Sequence, residues 1–164
     1  MAFDPDSFRH AGHQLRPMTT AWAEPLGARL AAIDPWLKLG YSAATLARYL
    51  AADTPQRLAL AVLDGDRPAA CLTIRPDWLR GPLLELLAVL PDSQGIGLGQ
   101  ALIDWLVLET RQQSQYNLWT IGSAFNESAL AFYRRQGFEQ VGTLPGLIMA
   151  AESEVLLRLR IKLE

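Results

Sequence analysis

Cysteine is nearly missing from this chain: Cys71 is the only one in 164 residues. One thiol cannot close an internal disulfide, and alone it cannot build a thiolate zinc site. It sits in the apolar run Ala69-Ala70-Cys71-Leu72, which reads as strand, so the expected role is that of a small buried hydrophobe. Histidine is scarce too. His10 and His13 lie in a polar leader, and no catalytic or metal role is expected of them. An excess of one charge is also lacking: 15 Lys and Arg against 17 Asp and Glu give a formal net charge of -2. Without a basic surplus the chain is not expected to bind nucleic acid. No window of about 18 apolar residues suggests a membrane span. The first residues, with Asp4, Pro5 and Asp6, do not form a secretory signal. A cytoplasmic location is the default expectation. Internal repeats, low-complexity segments and a linker dividing the chain are all absent from the sequence.

Half of the residues are hydrophobic and a fifth are charged, the composition of a folded chain with a real core. Residues 1–13 read as a flexible leader, and 14–164 as a single domain. Residues 14–19 predict a short first strand, with Pro17 at an edge or strand end. Helices are predicted over 21–33, capped by Thr19 or Thr20, and over 43–52, capped by Ser42. Asp34-Pro35 breaks the pattern between them. Strands are expected at 57–63 and 69–75, joined by a tight turn at Asp64-Gly65-Asp66. A third, at 82–90, is apolar on both faces and so central in its sheet. A helix over 97–112 should turn Leu98, Ala101, Leu102, Trp105 and Leu108 to the core. A strand at 117–121, a helix from Asn126 with Gly137 at its C-terminal end, and strands at 138–144 and 154–163 complete the chain.

The most informative segment is Gln94-Gly95-Ile96-Gly97-Leu98-Gly99-Gln100, between a strand and a helix. The first N–H groups of a helix lack internal partners and lie at the positive end of its dipole. Glycines there let a bulky anion approach the backbone, which makes the turn a diphosphate site. A dinucleotide fingerprint fails, because the third glycine position counted from Gly95 is Gln100. A Walker loop fails, because Gly99 is followed by Gln100 and Ala101 rather than by Lys and Ser or Thr.

Gln94 to Gly99, with its Val89-x-Pro91 lead-in, resembles the Q/R-x-x-G-x-G/A signature of the GNAT superfamily of N-acetyltransferases. Asn126 to Phe138 is similar to the same family's N-x-x-A-x-x-[FL]-Y-x-x-x-G-F helix. Asn126, Ala129 and Tyr133 share one face of that helix. The resemblance implies a mixed, mostly antiparallel central sheet flanked by helices, an α+β fold of three layers. It implies acetyl-CoA as co-substrate and no metal. Cofactor contacts are then expected from Val89, Leu90, Gln94, Gly95, Ile96, Gly97, Leu98, Gly99, Gln100, Asn126, Ala129 and Tyr133.

By the same resemblance, Tyr133 is the catalytic acid that protonates the departing thiolate. Val89 offers the N–H that polarises the acetyl carbonyl, and Leu90 lines the pantetheine. Glu85, four residues before Val89 and on the same strand face by alternation, is the candidate general base; a carboxylate at the cleft rim or in a structural ion pair is the competing reading. Gln94 stands where an Arg is commoner, so the diphosphate would rely on backbone donors, the helix dipole and basic side chains such as Arg134 or Arg135. The implied reaction is direct acetyl transfer to a primary amine in a ternary complex. The alternative is a non-catalytic acyl-CoA-binding or sensing module. Acceptor contacts are expected from residues 34–41, with Trp36 and Tyr41 as a partly aromatic wall, and from 145–151. The expected partners are acetyl-CoA and an amine acceptor, with a homodimer as an option, and neither nucleic acid nor a membrane.

Overall fold

The computed structural model describes residues 3–163; Met1 and Ala2 of the expected leader, and Glu164, lie outside the described residues. The chain begins with a 3-10 turn at Pro5–Ser7 and strand β1 at Gln14–Pro17. Helices α1 (Thr20–Ala31), α2 (Trp36–Leu39) and α3 (Ala43–Ala51) follow, then β2 (Leu58–Asp64), β3 (Arg67–Arg75) and β4 (Leu83–Val89). A second 3-10 turn, Pro91–Ser93, leads into α4 (Leu98–Gln112). β5 (Asn117–Ser123), α5 (Glu127–Arg135), β6 (Glu139–Pro145) and β7 (Ser153–Arg160) complete the order. Thr19 and Ser42 cap α1 and α3 through their hydroxyls, as their positions predict. Helix α2 falls where only a broken pattern is expected. The Asp34 carboxylate holds the Lys38 N–H at 3.1 Å, and Gly40 closes the turn in the left-handed region.

The seven strands form one sheet in the order β1-β2-β3-β4-β5-β7-β6. Every pairing is antiparallel except that of β4 with β5. The sheet buries both faces. On one side α4 and α5 cover Leu72, Ile74, Leu84, Leu118, Val155 and Leu157. On the other α1 and α3 cover Ala61, Cys71, Leu86, Ala88 and Leu90. Cys71 is fully buried, as its apolar surroundings predict. In α4 one residue departs from its expected placement. Leu108 is exposed, while Ile103, Leu106 and Glu109 turn inward.

The described part of the expected leader is packed, which corrects the reading of 1–13 as flexible. Phe3 and Phe8 are buried in the α4/α5-side core, and Phe3 lies 6.1 Å from Trp105 between ring centroids. Glu109, 3% exposed, takes the Asp4 N–H at 2.8 Å and the Ser7 hydroxyl at 3.0 Å. The Trp105 indole N–H donates to Ser7 Oγ at 2.9 Å. The polar letters between the two phenylalanines thus satisfy a buried carboxylate and an indole, which is how a segment rich in Asp and Pro is tied down.

Truncating Phe8 therefore leaves a core cavity. Phe8→Ala is expected to lower unfolding stability by about 3 kcal/mol in urea titration; a loosely ordered leader would give less than about 0.5 kcal/mol.

Candidate functional site

The site begins at the one parallel junction. β4 and β5 pair only at Leu83 with Trp119 and Leu84 with Thr120, where the Thr120 hydroxyl donates to the Leu84 carbonyl at 2.9 Å. Beyond that rung the strands diverge and open a cleft of about 840 Å³. On its other edge β4 bonds β3, and the Leu90 N–H donates to the Ala69 carbonyl at 3.0 Å. Antiparallel alternation then turns the N–H groups of Leu87 and Val89 away from β3 and into the cleft. Leu90 does not line the cleft as expected. Its N–H is spent on Ala69 and its side chain packs on the α1/α3 side.

The loop after β4 presents a row of donors. None of the N–H groups of Gly95 to Gln100 has a hydrogen-bond partner among the described residues; the next one, Ala101, bonds the Gly97 carbonyl at 3.0 Å. Gly95 and Gly97 adopt φ of 84° and 77°, a region side chains disfavour. Gly99 has a different reason. A Cβ there would meet the Phe132 ring at 3.3 Å, so its absence lets α4 and α5 touch.

Gln94 folds back and donates from Nε2 to the Val89 carbonyl at 3.0 Å, bracing the loop against the strand. Ile96, expected among the cofactor contacts, is not part of the cleft lining: its side chain is half exposed and its carbonyl accepts from His10 Nε2 at 2.8 Å. Just before this loop, Asp92 is held by the guanidinium groups of Arg29 and Arg67 at 3.1 and 3.7 Å. The Arg29 hydrogen bond keeps the Asp92 carboxyl below its usual range. Arg135 lines the cleft and Arg134 does not.

Across the cleft, α5 contributes Asn126, Ala129, Phe132 and Tyr133. Asn126 caps the helix by accepting the Ala129 N–H at 3.4 Å. Tyr133 is 6% exposed and packs edge-on against Phe138. Burial pushes its phenol up to about 12, with the Thr120 hydroxyl pulling the other way. At neutral pH it holds its proton and can serve as a proton donor.

Glu85 is not on the face that alternation assigns it. The β3 register passes from Leu84 to Leu86, so Glu85 is the extra residue of a bulge. It lies on the α1/α3 side with Leu86, while the side chains of Leu87 and Val89 pack on the α4/α5 side. There its carboxylate takes the Arg75 Nε–H at 2.9 Å. It still lines the cleft.

The outer half of the cleft is walled by Asp34, Trp36 and Tyr41, and by Leu147 and Ile148 of the β6–β7 connection. Sequence reasoning did not single out four other contributors. The Leu87 N–H needs the strand register to be seen. Tyr49 of α3 bonds Thr73 Oγ1 at 2.7 Å and lies beneath the Arg57 guanidinium at 4.0 Å. Ser123 and Glu154 lie opposite one another on β5 and β7, brought together only by the sheet.

A family profile described as an acetyltransferase (GNAT) domain matches residues 55–140, just over half of the chain. The chain belongs to the GNAT acetyltransferase family. No curated protein matches it. Solved structures of the same fold include the ribosomal-protein-S18-alanine N-acetyltransferase of Escherichia coli, 23% identical, with a TM-score of 0.69 over 93% of this chain and 96% of that one. An acetyltransferase from Thermus thermophilus is 22% identical, with a TM-score of 0.71 over 90% and 96%. An aminoglycoside 6'-N-acetyltransferase complexed with coenzyme A is 16% identical, with a TM-score of 0.69 over 92% and 98%.

Buried acids make the fold sensitive to alkali. Burial raises the Cys71 thiol from 9.0 and the Tyr133 phenol from 10.0, each to about 12. The unfolded chain releases these protons first, so the stability they contribute is whole below pH 9 and is lost as pH rises toward about 12. Thermal melts should hold steady up to pH 9 and then fall, and Cys71→Ala should delay the fall toward pH 10. A melting temperature flat to pH 12 would contradict this.

Proposed function

We propose that this chain transfers an acetyl group from acetyl-CoA to a primary amine, within one domain, by direct attack in a ternary complex. The observation that carries the reading is the fork between β4 and β5. It leaves two strand N–H groups, the unpartnered donors of the glycine loop and one buried phenol at the same cleft.

The donors of Gly95 to Gln100 suit the coenzyme diphosphate, since they are unpartnered, lie at a helix N-terminus and have no Cβ at three of six positions. With Gln94 neutral, backbone and dipole carry this contact. Leu87 and Val89 are placed for the thioester carbonyl and the pantetheine amide, as an added strand would pair with β4. Asn126, Ala129 and Phe132 form the wall along the pantetheine arm.

The neutral amine attacks the thioester carbonyl, and the C–S bond breaks as the C–N bond forms. The carbonyl oxygen gains charge against the β4 donors. The departing sulphur takes the Tyr133 proton, which burial keeps in place at neutral pH. The proton lost by the amine passes to Glu85, directly or through water. Glu85 lines the cleft while its carboxylate is held by the Arg75 guanidinium at 2.9 Å.

Tyr133→Phe should lower kcat by roughly 100-fold while acetyl-CoA affinity, measured by calorimetry, stays within about twofold. Free-thiol release from acetyl-CoA across a panel of amines gives the rate. A non-catalytic acyl-CoA-binding module would bind acetyl-CoA and release no thiol with any amine, and that outcome would sink the enzymatic reading.

A further inference from the structure

Glu154 is 3% exposed, lines the cleft and has no role in the reaction above. Its two oxygens share one donor, the Ser123 hydroxyl, at 2.9 and 3.1 Å. Among the described residues no Lys, Arg or His forms an ion pair with it. Its neighbour Glu152 differs, being held by Lys38 Nζ at 3.1 Å. A buried carboxylate needs several donors or an opposite charge to offset its lost hydration. One hydroxyl leaves most of that need unmet.

The face it occupies is the acceptor's. Val155 and Leu157 enter the α4/α5-side core, so alternation turns Glu154 to the opposite face, where Glu85 also lies. The lining on this side carries the carboxylates of Asp34, Glu85 and Glu154. The only cationic residue in the cleft lining, Arg135, belongs to α5 on the coenzyme side. The Ser123–Glu154 rung lies three residues beyond the last paired rung at Thr120, roughly 10 Å along the strand from the fork.

We propose that Glu154, braced by Ser123, is a subsite for a second positive charge on the acceptor, so that the preferred substrate is a primary amine bearing another cationic group several methylenes away. The inference rests on the acetyl-transfer reading and names its substrate class. Burial raises the Glu154 carboxyl, with Ser123 opposing and Glu152 adding to the rise. A seated ammonium supplies the missing donors and charge and favours the ionised form.

The test compares hexamethylenediamine with hexylamine, which differ in the second ammonium. Wild type should prefer the diamine by at least about tenfold in kcat/KM. Glu154→Gln should bring that ratio to about one through KM, with kcat, hexylamine kinetics and acetyl-CoA affinity unchanged. Glu152→Gln, whose partner is Lys38, should keep the wild-type ratio. Ser123→Ala retains the charge but loses its brace and should give an intermediate ratio, which carries the test if Glu154→Gln does not fold. A wild-type ratio near one, or a ratio indifferent to both Glu154→Gln and Ser123→Ala, overturns the subsite. Turnover of neither amine also overturns it. Calorimetry with acetyl-CoA and thiol release across other amines then decide separately whether acetyl transfer falls as well.

Discussion

Two backbone rungs, Leu83 with Trp119 and Leu84 with Thr120, join the two halves of the sheet. Behind them the junction is reinforced: the Trp119 indole donates to the Leu79 carbonyl, the Asn117 amide to the Arg80 carbonyl, and the Trp119 N–H to the Pro82 carbonyl. In front, among the described residues, no further rung pairs the two strands. A sheet edge that is normally a liability is here an interior opening, with unpaired N–H groups held rigid by β3 on the far side. The cleft, the direction of the Leu87 and Val89 donors and the seat of Tyr133 beside Thr120 follow from this divergence.

The glycine-loop end of the cleft is built with little net charge. Gln94 spends its amide on the Val89 carbonyl, and Arg29 and Arg67 are engaged by Asp92. What remains is oriented backbone, fixed by the left-handed Gly95 and Gly97 and by His10 on the Ile96 carbonyl. Preorganised dipoles need no reorganisation when an anion arrives. The packed N-terminal segment, through His10, is part of that preorganisation.

Much of this was legible in the residues because the informative features are local. Three glycines at alternate positions, a strand before and a helix after, and an Asn-to-Tyr face at helical spacing need no tertiary knowledge, and they fall on one cleft. The misplacements come from features that single-strand patterns do not encode. Glu85 changed face because a bulge adds one residue to β4, and period-two reasoning cannot see an inserted residue. The leader appeared loose because the partners of Asp4 and Ser7, Glu109 and Trp105, lie about a hundred positions away. Ser123 and Glu154 were silent for the same reason: each is an ordinary strand residue until β5 and β7 align.

The contact between Gly99 and the Phe132 ring has a mechanical meaning. Gly99 opens α4 beside the glycine loop, and Phe132 directly precedes Tyr133 on α5. The two helices are coupled at a point where neither has slack, so their spacing is set by the thickness of one aromatic ring. The spacing of the two helices at this point is a single packing dimension, which a change of side-chain size at position 132 would reset without touching a polar atom.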